Sequence, residues 1–260
     1  MLKFSHQRPL DEQLAELKEA IRSEPGKLAL RVYYFQFLAV LGDWQKSLEQ
    51  LQLCAQLDIK ATPMAKAYRE AIQCEVFREE VFAGRKIPNI LGEPAPWIGW
   101  LVDAMKRLAE GDATAAAELR AQAFDAAPTT SGQINDQNFE WVADSDSRLG
   151  PVCELLANGT YYWVPFSSIK QINFEKPQDL RDFVWAACEI TLVSGGSMPG
   201  FIPTRYVGSA QSGNDSLRLA RGTEWSDLYA DHVAGIGQRM WLTDSAEYAL
   251  LDVRRLTLDT

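Results

Sequence analysis

Two glycine–aspartate steps, each at the end of an apolar helical pattern, constrain the fold of this chain more than any other feature. Gly42 and Asp43 interrupt "LGDWQKSLEQLQLCAQLD" at residues 41–58, and helical spacing resumes after them. Gly111 and Asp112 follow "PWIGWLVDAMKRLAE" in the same way, 69 residues later. Each step predicts a tight turn between two antiparallel helices that pack against each other.

The spacing of the two steps predicts a repeat, because 69 residues is close to twice the 34-residue period of the tetratricopeptide repeat. Ala116 and Ala123 supply the small side chains that a close helix crossing needs. Helical spacing also runs through residues 10–21 and 28–41, and through "AKAYREAIQCEVFREEVFAG", where a degenerate repeat could fit. Residues 1–130 are therefore predicted to form a tetratricopeptide-like helical domain. An irregular helical bundle is the alternative.

The second half of the chain carries strand signals. The polar segment 131–138 is predicted to be a linker. Asn158 and Gly159 separate two apolar runs and predict a β-hairpin, because both residues tolerate positive φ. Further strands are predicted at "KQINF", "CEITLV", "RMWLT" and "LLDVRRL", with a short helix or turn at "PQDLRDFVWAA". Residues 139–260 are thus predicted to be a β-rich domain with one or two short helices, which makes the fold class α+β.

Composition excludes several classes of protein. The net charge is −9, and residues 131–260 contain 10 basic and 17 acidic groups, so neither half offers the basic stripe that nucleic-acid binding requires. No apolar run is long enough for a membrane span, and the first residues do not resemble a signal peptide. The four cysteines lie far apart, which suits a reducing compartment. We therefore expect a cytoplasmic protein.

Catalytic motifs are missing from the sequence. The two histidines, His6 and His232, are too few for a zinc site, and no phosphate-binding or nucleophile motif occurs. Asp144 and Asp146 have a spacing that suits a divalent cation, but Leu155 stands where an EF-hand loop needs an acidic residue. The preferred interpretation is that these aspartates cap a turn and pair with Arg148. We predict no enzyme activity, no metal and no cofactor.

Two groups of residues are candidates for partner recognition. A polar patch is predicted in the second half of the chain, although structural ion pairs would explain the same residues. Its members are Asp144, Asp146, Arg148, Arg205, Arg218, Arg221, Glu224 and Trp225. The inner faces of the two repeat units predict an apolar groove for an amphipathic helix, unless these side chains are plain core. The groove residues are Val32, Gln36, Ala39, Ile98, Leu101 and Met105.

Several stretches together resemble the ImpE family, whose members are also called TagJ. These stretches are "LGDWQKSLEQL", "EVFAGRKIPNILGEPAPW", "WVADSDSRLGPVCELLANGTYYWVPFSSI", "DLRDFVW", "GFIPTRYVGS" and "LRLARGTEW". The resemblance covers nearly the whole chain and is most specific at residues 139–169. It implies a non-enzymatic cytoplasmic accessory protein of bacterial type VI secretion. Its implied partners are an N-terminal helix of the sheath small subunit, TssB, and the ClpV ATPase that recycles the sheath.

Two other functions stay open on the residues alone. The first is a generic repeat cochaperone that grips C-terminal peptides, which usually relies on a Lys/Arg clamp for the terminal carboxylate. The second is a metal-dependent enzyme that uses Asp144 and Asp146. Whether the protein forms oligomers cannot be read from its residues.

Overall fold

The computed structural model describes residues 4–5 and 7–260, so His6 lies outside the described residues. The first half forms a series of α-helices, as the sequence predicts. Their bounds are α1 Leu10–Ser23, α2 Leu28–Leu41, α3 Trp44–Leu57, α4 Thr62–Phe82, α5 Pro96–Ala109 and α6 Ala113–Ala126.

The two glycine–aspartate steps form the same turn. Gly42 and Gly111 have left-handed φ angles of 72° and 85°. The next residue caps the following helix in both cases, since Asp43 accepts from the Lys46 amide and Asp112 from the Ala115 amide. These turns join α2 to α3 and α5 to α6, which confirms the two predicted helical pairs.

The interval between the two pairs does not contain a third pair. It consists of the 21-residue helix α4, followed by an irregular segment that carries the short strand β1 (Asn89–Ile90). The prediction of a degenerate repeat is wrong there. The cause is local, because the segment 83–95 includes two glycines and two prolines, which do not continue a helix.

Most strands join one sheet. The remaining strands are β2 Gly132–Ile134, β3 Gln137–Phe139, β4 Val142–Asp144, β5 Val152–Ala157, β6 Thr160–Pro165, β7 Ile169–Phe174, β8 Trp185–Leu192, β9 Ser197–Pro203, β10 Thr223–Tyr229, β11 His232–Gly237, β12 Met240–Thr243, β13 Glu247–Ala249 and β14 Arg255–Leu258. The nine-stranded sheet has the order β1-β6-β5-β9-β8-β7-β14-β2-β3. Two smaller sheets have the orders β13-β12-β4 and β10-β11, and a short helix α7 spans Asp215–Arg218.

The predicted hairpin at Asn158 and Gly159 is confirmed, with φ angles of 51° and 72° between β5 and β6. Two other details differ from the predictions. The segment 131–138 is not a free linker, because it contains β2 and the start of β3, a hairpin at the sheet edge whose polar residues face solvent. In "LLDVRRL", Leu250–Asp252 forms a 3-10 turn, and the strand begins only at Arg255.

The sheet separates two hydrophobic cores. On one face, Leu156, Trp163 and Trp185 pack with the helices in a single cluster. On the other face, Leu155 and Val164 pack in a second cluster, which includes Trp241 of β12. Strand β5 is therefore buried along its whole length. The α+β class is confirmed, while the proposed domain division at residue 130 stays a prediction.

No helix within 4–5 and 7–260 is both long and apolar enough to cross a membrane.

Candidate functional site

The predicted groove residues lie inside the helical layer. Gln36, Ala39, Ile98, Leu101 and Met105 are buried, and Val32 is half-buried against the same core. Their exposed fractions do not exceed 4% for the five buried residues. These side chains fill the space between the helices and the sheet, so the alternative interpretation, plain core, describes them.

The predicted polar patch is divided between the interior and the surface. Arg205 is buried and donates to the carbonyls of Val40, at 2.7 Å, and Ala39, at 3.2 Å, at the C-terminal end of α2. Its guanidinium also donates to the carbonyl of Arg218 at 2.5 Å. Burial lowers the pKa of Arg205 to about 10, so it remains a cation at neutral pH. Arg205 thus serves as a helix cap.

Four further members of the patch lie nearer the surface. Arg218 donates to the carbonyl of Ala210, while Glu224 and Trp225 lie on β10 with exposed side chains. Arg221 follows the short helix α7 at a similarly exposed position. The buried members Asp144, Asp146 and Arg205 are separated from these surface residues, so the eight residues do not form one recognition surface.

The two predicted aspartates are bound to arginines. Asp146 accepts from the backbone and side chain of Arg148, which confirms the predicted pair. Asp144 accepts from Arg239 and, at 3.1 Å, from the hydroxyl of Tyr206. Burial raises the pKa of Asp144 to about 6, although Arg239 opposes this rise. Among the residues that the structure describes, no group of three or more His, Cys, Asp or Glu side chains could hold a metal ion.

Glu154 is the centre of this buried ionic network. It accepts from Arg78 at 2.6 and 2.9 Å, and it also pairs with Arg239. Tyr161 donates its hydroxyl to the same carboxylate. Although burial opposes ionisation, the two arginines lower the pKa of Glu154 to about 2. The network joins α4 and β5 to Arg239, the residue before β12, and its role is structural.

Sequence reasoning missed Arg78, Glu154 and Arg239, because their partners lie far away in the chain. One signal was present: Glu154 is the only charged residue in the otherwise apolar run "VCELLA". A charge in a strand that is buried on both faces needs a partner of opposite charge.

An open cleft lies beside this network, between α4 and strands β5, β8 and β9. Its volume is about 390 Å³. The side of α4 contributes Ala67, Tyr68, Glu70, Ala71 and Cys74. The sheet contributes Leu156, Ala157, Asn158, Gly159, Ala187, Cys188, Pro199, Gly200 and Phe201, and Glu175 completes the lining.

The walls of the cleft are mostly apolar and uncharged. Burial raises the pKa values of the Cys74 and Cys188 thiols to about 12, so both are neutral at physiological pH. The Tyr68 ring packs against Phe201 with centroids 5.3 Å apart. Glu70 and Glu175 provide the charges, and no Lys, Arg or His lines the cleft among the described residues. The arrangement suits an apolar ligand with basic neighbours.

A smaller pocket of about 100 Å³ continues the cleft, and the two share Tyr68, Glu175 and Ala187. Its lining is polar and includes Lys176, Asp179, Arg181, Asp182 and Arg254. The combined groove therefore has an apolar end and a charged end.

Three comparisons with known proteins identify similar proteins, and two of them cover 96% of this chain. A family model described as ImpE protein matches residues 136–257. The type VI secretion system accessory component TagJ of Pseudomonas aeruginosa is 46% identical over 250 residues, covering 96% of this chain and 88% of that protein. The crystal structure of protein VPA1032 from Vibrio parahaemolyticus has a TM-score of 0.87 at 26% identity, covering 96% of this chain and 94% of that one. The chain belongs to the ImpE family.

Proposed function

We propose that this protein is an accessory component of a type VI secretion system, and that it binds an amphipathic helix of the contractile sheath's small subunit in the cleft beside α4. The observation that carries the binding site is the apolar cleft of about 390 Å³ with acidic residues at its rim. The secretion role rests on the 46% identity to TagJ of Pseudomonas aeruginosa.

The size and chemistry of the cleft support a helical ligand. Its volume falls within the range of roughly 300–1,000 Å³ that is typical of ligand pockets. It is too small for a whole helix but can receive two or three apolar side chains from one helical face. Glu70 and Glu175 would then attract basic residues that flank those anchors.

The remaining parts of the proposal rest on the resemblance to the ImpE family. The protein would act as a non-enzymatic adaptor in the cytoplasm and influence sheath recycling by the ClpV ATPase. Four buried free cysteines are consistent with a reducing compartment.

Two alternatives have less support. A cochaperone that grips C-terminal carboxylates needs a cationic clamp. The described lining of the cleft contains no basic residue, and the basic residues of the adjoining small pocket lie beside Glu175, Asp179 and Asp182. A metal-dependent enzyme needs free carboxylates, whereas Asp144 and Asp146 are both paired with arginines.

Calorimetric titration with a peptide of the N-terminal helix of the cognate TssB subunit tests this proposal. We expect micromolar or tighter binding by the full-length protein. Ala67→Glu should weaken it at least tenfold, because it places a carboxylate in the apolar wall close to Glu70.

The matched control is Ala121→Glu, the same change on the exposed face of α6. The affinity of this variant for the TssB peptide should equal that of the unmodified protein. Binding that survives Ala67→Glu would move the site elsewhere on the protein, and no binding at all would refute the helix-binding function.

A further inference from the structure

Strand β10 has an outer edge that pairs with no other strand of the described part of the chain. Its partner β11 lies on one side only. The far side of β11 is occupied, since the Val233 amide donates to Ser147 Oγ, the Val233 carbonyl accepts from the Ser147 amide, and the Gly235 amide donates to Asp146. The backbone groups of Val233 and Gly235 therefore point away from β10.

The direction of the β10 backbone follows from the register. Asp227 lies opposite Val233, and Trp225 lies opposite Gly235. In an antiparallel pair, opposite residues direct their amide and carbonyl groups either both inward or both outward. Trp225 and Asp227 therefore present outward N–H and C=O groups, and within 4–5 and 7–260 no backbone hydrogen bond satisfies them.

Two large aromatic side chains flank this free edge. Trp225 is 41% exposed and Tyr229 is 49% exposed, although the Trp225 ring lies 5.6 Å from that of Tyr206. Natural proteins usually protect a strand edge, because free backbone groups invite pairing with another chain. An edge that carries exposed aromatic side chains is suited to strand addition.

The charge along the edge of β10 indicates which kind of segment can pair with it. Residues 223–231 read "TEWSDLYAD" and contain three acidic residues and no basic one. Glu224, Asp227 and Asp231 are all exposed along this hairpin. A second copy of the strand would bring like charges together, and the bulge after Asp227 further interrupts regular pairing. A basic segment has complementary charge.

We propose that β10 binds an extended, basic segment of a partner protein, which adds to the β10–β11 hairpin as a third strand. Backbone hydrogen bonds to Trp225 and Asp227 supply the pairing, and the acidic side chains select for lysine and arginine. None of these residues lines the cleft beside α4, so the proposal is independent of helix binding there.

The test uses the full-length protein and two acetylated, amidated heptapeptides, Lys-Val-Lys-Val-Lys-Val-Lys and Glu-Val-Glu-Val-Glu-Val-Glu. We expect calorimetry to detect binding of the basic peptide and to show at least tenfold weaker binding of the acidic peptide. Hydrogen exchange measured by NMR should show slower exchange of the Trp225 and Asp227 amides with the basic peptide.

Four substitutions separate charge from backbone pairing. Asp227→Lys should weaken binding of the basic peptide at least tenfold. Glu93→Lys, which also replaces an exposed acidic residue with lysine, should change the affinity for that peptide less than twofold. Asp227→Pro removes the outward N–H group but keeps the hydrogen bonds between β10 and β11. The Asp227→Pro variant should therefore bind the basic peptide more weakly than the Asp227→Asn variant does.

Equal affinities for the two peptides, unchanged binding by Asp227→Lys, or unaltered exchange at both amides would overturn the proposal. Sedimentation that shows a dimer broken by Asp227→Pro would also overturn it, because the occupant would then be a second copy of this chain. Ala67→Glu should leave binding of the basic heptapeptide unchanged.

Discussion

Arg78 of α4 and Glu154 of β5 form a two-point ion pair inside the protein, with Nε–Oε1 and Nη2–Oε2 distances of 2.6 and 2.9 Å. Both side chains are at most 3% exposed. The pair connects the helical layer to a strand that is buried on both faces. Its removal should therefore affect the whole molecule and not one element.

Glu154→Gln should destabilise the protein by about 3–5 kcal/mol, because it leaves the buried cations Arg78 and Arg239 without their shared carboxylate. Urea unfolding followed by circular dichroism measures the change. Glu189→Gln is the control, since that glutamate lies exposed on β8. This variant should lower the free energy of unfolding by less than about 0.5 kcal/mol. Equal losses in the two variants would contradict a structural role for the pair.

The unfolding free energy should depend on pH through Asp144. Its folded pKa of about 6 lies above the ordinary value of 3.8, so the folded state binds a proton that the unfolded state does not bind between these values. The stability of the protein relative to an Asp144→Asn variant should therefore rise as pH falls from 7 to 4, by up to about 3 kcal/mol. Urea titrations of both proteins at four pH values test the sign. A constant difference would show that Asp144 titrates normally.

The two turn glycines should differ in their tolerance of alanine. Gly111→Ala should cost about 1–2 kcal/mol for the left-handed conformation alone, since nothing lies within 4 Å of the added Cβ. Gly42→Ala has the same backbone cost, and its Cβ would also lie 2.7 Å from the Cβ of Ala210. We expect it to cost about 1–3 kcal/mol more, from overpacking. Thermal unfolding of the two variants gives the comparison, and equal melting temperatures would contradict the contact.

Arg205→Lys should weaken the end of α2. A lysine ammonium cannot reproduce the fork that reaches the carbonyls of Ala39, Val40 and Arg218. We expect a loss of about 2–4 kcal/mol in the free energy of unfolding, as the carbonyls of Val40 and Arg218 lose this donor. Hydrogen exchange should accelerate at the amides of Gly42 and Asp43, which bond to the last turn of α2. Arg255→Lys, at an exposed position, should leave that exchange unchanged.

The four thiols should react slowly with Ellman's reagent at pH 8. Burial raises the pKa of Cys54 to about 11 and those of Cys74 and Cys188 to about 12. It also raises the pKa of Cys153 well above the usual value, so little thiolate forms. Cys74 and Cys188 line the cleft, and the TssB helix peptide should slow their reaction further. Fast reaction of all four thiols in the native protein would refute this prediction.

The helical half was predictable because its signals are local. The few residues around Gly42 and Gly111 are enough to indicate a turn, and apolar spacing indicates the helix on each side of it. Asn158 and Gly159 similarly predict a hairpin from two residues. The linker at 131–138 was misjudged because an edge hairpin exposes polar side chains, as a linker does.

The site was less predictable because it depends on contacts between distant parts of the chain. The faces of α2 and α5 assigned to a groove are apolar, but periodicity does not reveal whether an apolar face meets a ligand or the sheet. Asp146 and Arg148 are two residues apart and were paired correctly. Arg239 lies 95 residues from Asp144, and no local pattern indicates that pair.

The position of β14 in the sheet bears on synthesis at the ribosome. Residues 255–258 lie between β7 and β2, so the β2–β3 hairpin reaches the sheet only through this late strand. More than a hundred further residues must be translated after this hairpin before β14 is available, and until then the edge of β2 opposite β3 has no strand to pair with. A premature stop codon before residue 255 would leave that edge open, and the product would be a substrate for chaperones and proteases.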